Sequence, residues 1–370
     1  MSASPYPYPK FMLKEIAEQP DAIRRTIEAH LSGQALAPVF DALRMATKLV
    51  IAASGSSRHA GLAGEIMIED LSDIACDVEY SSEYSYRRPR VSTHYVIMVI
   101  TQSGETADTL AALREATSRG ARTIAIANVE HSTIVREATA EYLTYAGVEV
   151  AIPATKSFTA QLAALHSFAL RLATIRKSLP AEEIARRLAL LTEVPRAIEG
   201  SLAAWEEQAK AAALANFGAK QFIFLGRGIH YAIAREGALK LKEISYAHAE
   251  AYPAGELRHG PQALIDSSLP VVLIATRDRN DDGSVLRYEK TLAIAREIKE
   301  RKGRLIVVAN EGDEEIASIA DHVMSVPEAS EHLLPLLEVV PLQYFAYHIA
   351  HLNGLDVDKP RSLVKAVLTE

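Results

Sequence analysis

The sequence predicts an α/β protein of two tandem domains, each a doubly wound parallel sheet flanked by helices. Three observations predict it. Short apolar runs of strand character alternate with stretches of helical period, the alternation occurs twice, and an Ala-, Glu- and Arg-rich stretch without strand character separates the two rounds. With 370 residues, 49% of them hydrophobic, the chain has material for two cores of ordinary size.

Residues 1–38 read as a helical segment. Within Phe11–Leu31, Ile23, Ile27 and Leu31 recur at i, i+4, i+8 after Gln19-Pro20, so a helix should begin near Pro20. The first domain, 39–175, has strands expected at Lys48–Ala53, Tyr95–Thr101, Thr123–Asn128 and Tyr142–Tyr145. Residues 176–217 read as a helical linker. The second domain, 218–355, has strands expected at Gln221–Leu225, Val271–Thr276, Arg304–Asn310 and His322–Val326. The duplication is visible residue by residue. Strand, glycine turn and helix recur as Ile51-Ala-Ala-Ser-Gly55 and Phe224-Leu-Gly-Arg-Gly228, and Thr159-Ala-Gln161-Leu is echoed by Val340-Pro-Leu-Gln343. Residues 356–370 form a tail whose Leu363, Val364, Val367 and Leu368 are apolar enough to dock it on the body and hold Lys365 in place.

The charge balance, 40 Lys+Arg against 47 Asp+Glu, is −7 without a basic cluster, which argues against nucleic acid as a partner. No apolar run approaches the roughly 20 residues of a membrane helix, and Met1–Lys10 lacks the charged-then-apolar order of a signal peptide, so a cytoplasmic protein is expected. The single cysteine, Cys76, excludes a disulfide framework and a multi-cysteine metal site, and reads as core filler. No His/Cys/Asp cluster has metal-ligand spacing, and neither a metal nor an organic cofactor is expected.

Three segments carry chemistry. Thr101-Gln102-Ser103-Gly104-Glu105-Thr106 lies between a strand and a helix. Its hydroxyls, its amide and the N–H groups freed at the helix start suit a phosphate monoester, whereas a simple Ser/Thr helix cap would need only one of them. Ser54-Gly55-Ser56-Ser57 offers a further hydroxyl from the neighbouring turn. Next, Glu236, Lys240 and Glu243 share one helix face at i, i+4, i+7. Taken alone, the stripe reads as an exposed salt-bridged surface. Its place after a glycine turn, with His259 on a glycine-flanked loop shortly beyond, argues for a site. Last is the tail, Asp358-Lys359-Pro360-Arg361-Ser362-Leu363-Val364-Lys365.

Together, Glu236-Gly-Ala-Leu-Lys-Leu-Lys-Glu-Ile-Ser-Tyr246, Ala249-Glu-Ala-Tyr252, Gly255-Glu-Leu-Arg-His-Gly-Pro261, Gln102-Ser-Gly-Glu-Thr-Ala-Asp-Thr-Leu110, Thr155-Lys156 and Asp356-Val-Asp-Lys-Pro-Arg361 closely resemble the isomerase half of glucosamine-6-phosphate synthases. The resemblance runs from Phe11 to Glu370. It implies two sugar isomerase (SIS) domains and a sugar 6-phosphate substrate. Ser57, Thr101, Gln102, Ser103 and Thr106 would bind the phosphate, with Thr101 in place of the family's usual serine, and Ile152 and Val364 would line the sugar. Glu243 would carry the proton between C1 and C2, His259 would open the ring, Lys365 would meet the open-chain carbonyl, and Lys240 would assist Glu243. The resemblance also implies a homodimer with His259 reaching the neighbouring subunit's site. Ile152-Pro153-Ala154 departs from the pattern, because the family usually has serine at position 154.

An amine attacks a carbonyl only when unprotonated, so Lys365 should be partly buried or lie near a cation, which Lys240 could supply. The synthases begin with a glutaminase domain whose nucleophile is an N-terminal cysteine, and this sequence begins Met1-Ser2-Ala3. The expected reaction is therefore deamination of glucosamine 6-phosphate to fructose 6-phosphate and ammonia. Ammonia-dependent synthesis, action on another sugar such as galactosamine 6-phosphate or a fructosamine phosphate, and a non-catalytic sugar-phosphate sensor are the alternatives.

Overall fold

The computed structural model describes residues 4–31 and 34–368. In chain order, the described residues begin with α1 (Phe11–Ala17), α2 (Gln19–His30), α3 (Phe40–Met45), β1 (Lys48–Ala53), α4 (Gly55–Ser72), β2 (Ala75–Tyr80) and α5 (Ser81–Tyr84). They continue with β3 (Tyr95–Ile100), α6 (Ala107–Ser118), β4 (Arg122–Ala127), α7 (Thr133–Glu137), β5 (Ala140–Leu143), α8 (Lys156–Arg176) and α9 (Ala181–Asn216). The remainder is β6 (Gln221–Gly226), α10 (Ile229–Ser245), β7 (His248–Pro253), β8 (Pro270–Ala275), α11 (Asp282–Glu300), β9 (Arg304–Asn310), α12 (Glu314–Ala317), β10 (His322–Val326) and α13 (Leu334–Leu352). Short 3-10 turns cover Gln34–Val39, Ala254–His259 and Pro261–Leu264.

The chain divides into two compact units. One comprises Gln19–Glu149, Lys156–Pro195 and Val364–Glu370, the other Met1–Glu18, Val150–Thr155 and Arg196–Leu363, so the division falls inside α9 at Pro195. Each unit holds one parallel five-stranded sheet, in the orders β2-β1-β3-β4-β5 and β10-β9-β8-β6-β7. The second order, read backwards, repeats the first. We call them the first-sheet and second-sheet units. Four strands per sheet are expected from the sequence and five are found. The missed ones, β2 and β7, are edge strands carrying Asp77, Glu79 and Glu250, with half-buried, mixed faces in place of a continuous apolar run.

The inner strands are buried on both faces, as β3 and β8 illustrate, because helices cover each sheet from both sides. In the first-sheet unit one face packs Val50, Ala52, Ile97, Val99 and Ala125 against Ala112, Leu113 and Ala116 of α6. Its counterpart in the second-sheet unit packs Val271, Leu273, Leu305 and Val307 against Leu292, Ala295 and Ile298 of α11. Glycines seat the helix pairs on the opposite faces. A Cβ at Gly64 of α4 would stand 2.9 Å from Leu165 of α8, and one at Gly237 of α10 would stand 2.9 Å from Leu342 of α13. The same close approach, made by the same helix pair in each unit, is duplication expressed as packing. Cys76 lies in β2 with 2% exposure, as core filler should. Among the described residues, no helix is long and apolar enough to cross a membrane.

Candidate active site

In the order β2-β1-β3-β4-β5 the chain leaves β1 and β3 in opposite directions, and the crevice beyond their carboxyl ends is where such sheets hold ligands. Both sequence-predicted phosphate segments of the first-sheet unit lie there, one after each strand. Thr101 is off the end of β3, buried, and its Oγ1 is 3.2 Å from Thr106 Oγ1 and accepts from Gly104 N–H at 3.3 Å. Gln102 and Gly104 carbonyls accept from Asn128 and Ile134 N–H groups, and Glu105 accepts from Thr133 N–H at 2.8 Å, so neighbouring loops brace the turn. Gly104 sits at φ 70, and a Cβ there would collide with the side chain of Ser132. Thr106 is the N-cap residue of α6 yet makes no side-chain cap bond, which removes the simple-cap reading of this turn. After β1, Ser57 lies in the first turn of α4, where its Oγ accepts from Gln161 Nε2 at 3.0 Å.

The tail belongs to the same unit. Val367 O accepts from Ala107 N–H at 3.0 Å, occupying a donor at the start of α6. Lys365 Nζ lies 2.5 Å from Glu149 Oε2, and the Glu149 side chain is wholly buried. Two expectations are corrected here. Leu363, Val364, Val367 and Leu368 are 39%, 65%, 51% and 67% exposed, so these four side chains do not dock the tail; the end that bears Lys365 is held by the Val367 main-chain bond and the Glu149 ion pair, while the buried apolar residues of the tail are Val357 and Pro360. Lys365 is partly buried, at 26% side-chain exposure, but its neighbour is a carboxylate, and the candidate cation Lys240 is taken up by the carboxylates of its own helix.

Glu243, Lys240, His259 and Ile152 belong to the second-sheet unit. Lys240 Nζ is 2.6 Å from Glu243 Oε2 and 3.4 Å from Glu236 Oε1. The side chains of Glu236 and Lys240 are 0% and 1% exposed and that of Glu243 is 21% exposed, so the stripe faces inward and only its last carboxylate reaches the surface. This overturns the reading of an exposed salt-bridged stripe. His259 ends a 3-10 turn, is exposed, and is followed by Gly260 at φ 144. Ile152 donates its N–H to the Asp358 carbonyl at 2.9 Å.

The second-sheet unit has its own crevice, between β6 and β8, and it is filled. His230 stands two residues past Gly228, as Ser57 stands two past Gly55, and Thr276 follows β8 as Thr101 follows β3. His230 Nδ1 is 2.7 Å from Glu338 Oε1, which also accepts from Thr276 Oγ1 at 2.5 Å, and its Nε2 is 3.4 Å from Glu331 Oε1. Glu331 accepts in turn from Ser284 and from Arg287 Nε at 2.9 Å. Burial alone would lower the pKa of His230, but Glu338 and Glu331 outweigh it and raise it to about 10. Where the first-sheet unit offers hydroxyls, this corner supplies its own carboxylates.

Sequence reasoning missed Glu149, Gln161 and the His230 network as participants. The available signal for Glu149 was a lone charge in the otherwise apolar run Val148-Glu149-Val150-Ala151.

A duplicated doubly wound sheet with a hydroxyl-rich turn at one of its two switch points defines a class, and the chain belongs to the SIS domain family, whose profile matches residues 42–171 and 217–352. It is 46% identical over 369 residues to the glutamine–fructose-6-phosphate aminotransferase (isomerizing) of Chlorobaculum tepidum, matching 97% of this chain and 58% of that protein. It is 45% identical over 370 residues to the enzyme of the same name from Aquifex aeolicus, matching 100% of this chain and 60% of that one. The chain thus spans 58% to 60% of the length of these curated relatives. The C-terminal domain of glucosamine-fructose-6-phosphate aminotransferase from Francisella tularensis superposes with a TM-score of 0.90 at 37% identity, covering 97% of this chain and 100% of that one. A glucosamine-6-phosphate deaminase from Thermotoga maritima shares the fold, with a TM-score of 0.74 at 23% identity over 97% of this chain and 99% of that one.

Proposed function

We propose that this chain is an aminosugar-phosphate isomerase and deaminase that converts glucosamine 6-phosphate to fructose 6-phosphate and ammonia. The carrying observation is the bond from Ala107 N–H to Val367 O, which ties the tail bearing Lys365 to the helix that begins at the anion turn. In this reading Ser57, Thr101, Gln102, Ser103 and Thr106 hold the phosphate, and Ile152 and Val364 line the sugar. His259 opens the ring. Glu243 takes the proton from C2 of the open-chain aminoaldehyde and returns it to C1, leaving an imine at C2. Lys365 adds to that carbon, ammonia departs, and hydrolysis of the lysine imine releases fructose 6-phosphate. The exposure of His259 fits action at a partner subunit's site in a homodimer.

The only cysteine bears on the source of ammonia and leaves the direction to experiment. Cys76 is buried in β2, and burial pushes its thiol well above the usual range, which argues against its acting as a thiolate nucleophile on glutamine and supports free ammonia as the species handled by these two domains. The relatives' names favour a second reading, amination of fructose 6-phosphate. Both directions are assayed by incubating the protein with glucosamine 6-phosphate, and separately with fructose 6-phosphate plus an ammonium salt. Ammonia released with fructose 6-phosphate supports the first reading, net synthesis alone supports the second, and no turnover in either removes both.

A further inference from the structure

We propose that Glu149 is a catalytic residue, the proton store of Lys365; the inference rests on the proposed amine chemistry of that lysine. Glu149 follows β5 and turns its carboxylate to the N-terminus of α8. There Oε1 accepts from Ser157 N–H at 3.0 Å and Oε2 accepts from Ser157 Oγ at 2.7 Å. These bonds fix the carboxylate from the buried side. Oε2 also faces Lys365 Nζ at 2.5 Å, and the lysine side chain, 26% exposed, is the more accessible partner. A rigid carboxylate thus lies within proton-transfer distance of the Lys365 amine.

That geometry answers the protonation problem without a neighbouring cation. The ammonium of Lys365 passes one proton to Glu149, and the nitrogen lone pair then adds to C2 of open-chain fructose 6-phosphate. A second proton moves from nitrogen to the resulting alkoxide, giving a carbinolamine. The hydroxyl leaves as water with the proton held by Glu149, which restores the carboxylate and yields the protonated imine. In the direction of ammonia release, the same proton goes to the departing amine. Every proton taken from Lys365 is returned to a leaving group, and nothing else is consumed.

The test is trapping of the Lys365 imine with fructose 6-phosphate and borohydride, read by mass spectrometry of the tail peptide. With an internal acceptor, the wild-type trapping rate stays nearly flat from pH 7 to 9. An amine deprotonated only by bulk water would gain about tenfold per pH unit in that range, and this gain would overturn the proposal. Glu149→Gln keeps the shape and the bond from Ser157 N–H but cannot store a proton. It is expected to trap at least about 100-fold more slowly at pH 7, with the deficit shrinking toward pH 10 as bulk solvent takes over. A deficit independent of pH would mark a merely structural role and contradict the proposal. Because the pH profile uses wild-type protein, the test survives a variant that fails to fold. Wild-type protein that is never trapped would end the amine reading itself, which separates that failure from the failure of Glu149.

Discussion

Glu236, Lys240 and Glu243 show what a residue's spacing reveals and what it conceals. The i, i+4, i+7 period identifies a shared helix face, but whether that face meets water depends on what packs over it, and two of the three side chains prove buried. Being both paired with a fixed ammonium and partly exposed suits Glu243 to meet a substrate carbon. Glu243→Gln should lower kcat by about 100-fold or more while calorimetric binding of glucosamine 6-phosphate changes little, and retained turnover would take the proton-carrier role from this residue. Gly104 is tested through binding. At φ 70, with Ser132 in the path of any Cβ, Gly104→Ala must reshape the turn, so phosphate and sugar-phosphate affinity should fall together. Unchanged affinity would place the anion elsewhere. Glu149 was hard to read because its partners, Ser157 and Lys365, are distant in sequence from one another and only the fold joins them.

At the level of elements, the half-buried β10 was legible from its β-branched and apolar residues, and the inner strands were legible because both their faces are buried and a continuous apolar run declares itself. The edge strands β2 and β7 mix charged with apolar residues and did not. The tail was legible as an element that docks, but the side chains that do it were misjudged, because polar anchoring through main-chain bonds and ion pairs leaves no periodic signal. The filled crevice of the second-sheet unit makes a prediction about stability. The pKa of His230 is raised from its ordinary 6.5 to about 10, so its contribution is whole below about pH 6.5 and is lost as pH rises through about 10. For Glu331, burial raises the pKa but the His230 hydrogen bond and charge win, lowering it from 4.5 to about 2, so its contribution is whole above about pH 4.5 and fails as pH falls through about 2. His230→Gln should therefore cost about 3–5 kcal/mol near neutrality, measured by urea unfolding, and the difference from wild type should narrow as pH approaches 10.5. A difference constant from pH 6 to 10.5 would contradict the ion-pair account.

For the whole molecule, duplication was visible from Gly55 and Gly228, and from Gln161 and Gln343, before any coordinate. What those repeats did not disclose is that the two switch points have diverged. One keeps a hydroxyl-rich turn, while the other buries His230 between carboxylates. One sugar phosphate should accordingly bind per chain in a calorimetric titration, and two equivalent sites would refute the divergence. The central claim, that this chain moves a proton between C1 and C2 of an aminohexose phosphate and exchanges ammonia at C2, is tested most directly in deuterium oxide. Glucosamine 6-phosphate is incubated with the protein, and the fructose 6-phosphate formed is examined by NMR alongside an ammonia assay. The account predicts equimolar ammonia and fructose 6-phosphate, whose C1 carries the hydrogen from C2 except for the share that Glu243 exchanges for solvent deuterium during the transfer; glucosamine 6-phosphate recovered unchanged, with no ammonia and no exchange at C2, would contradict it.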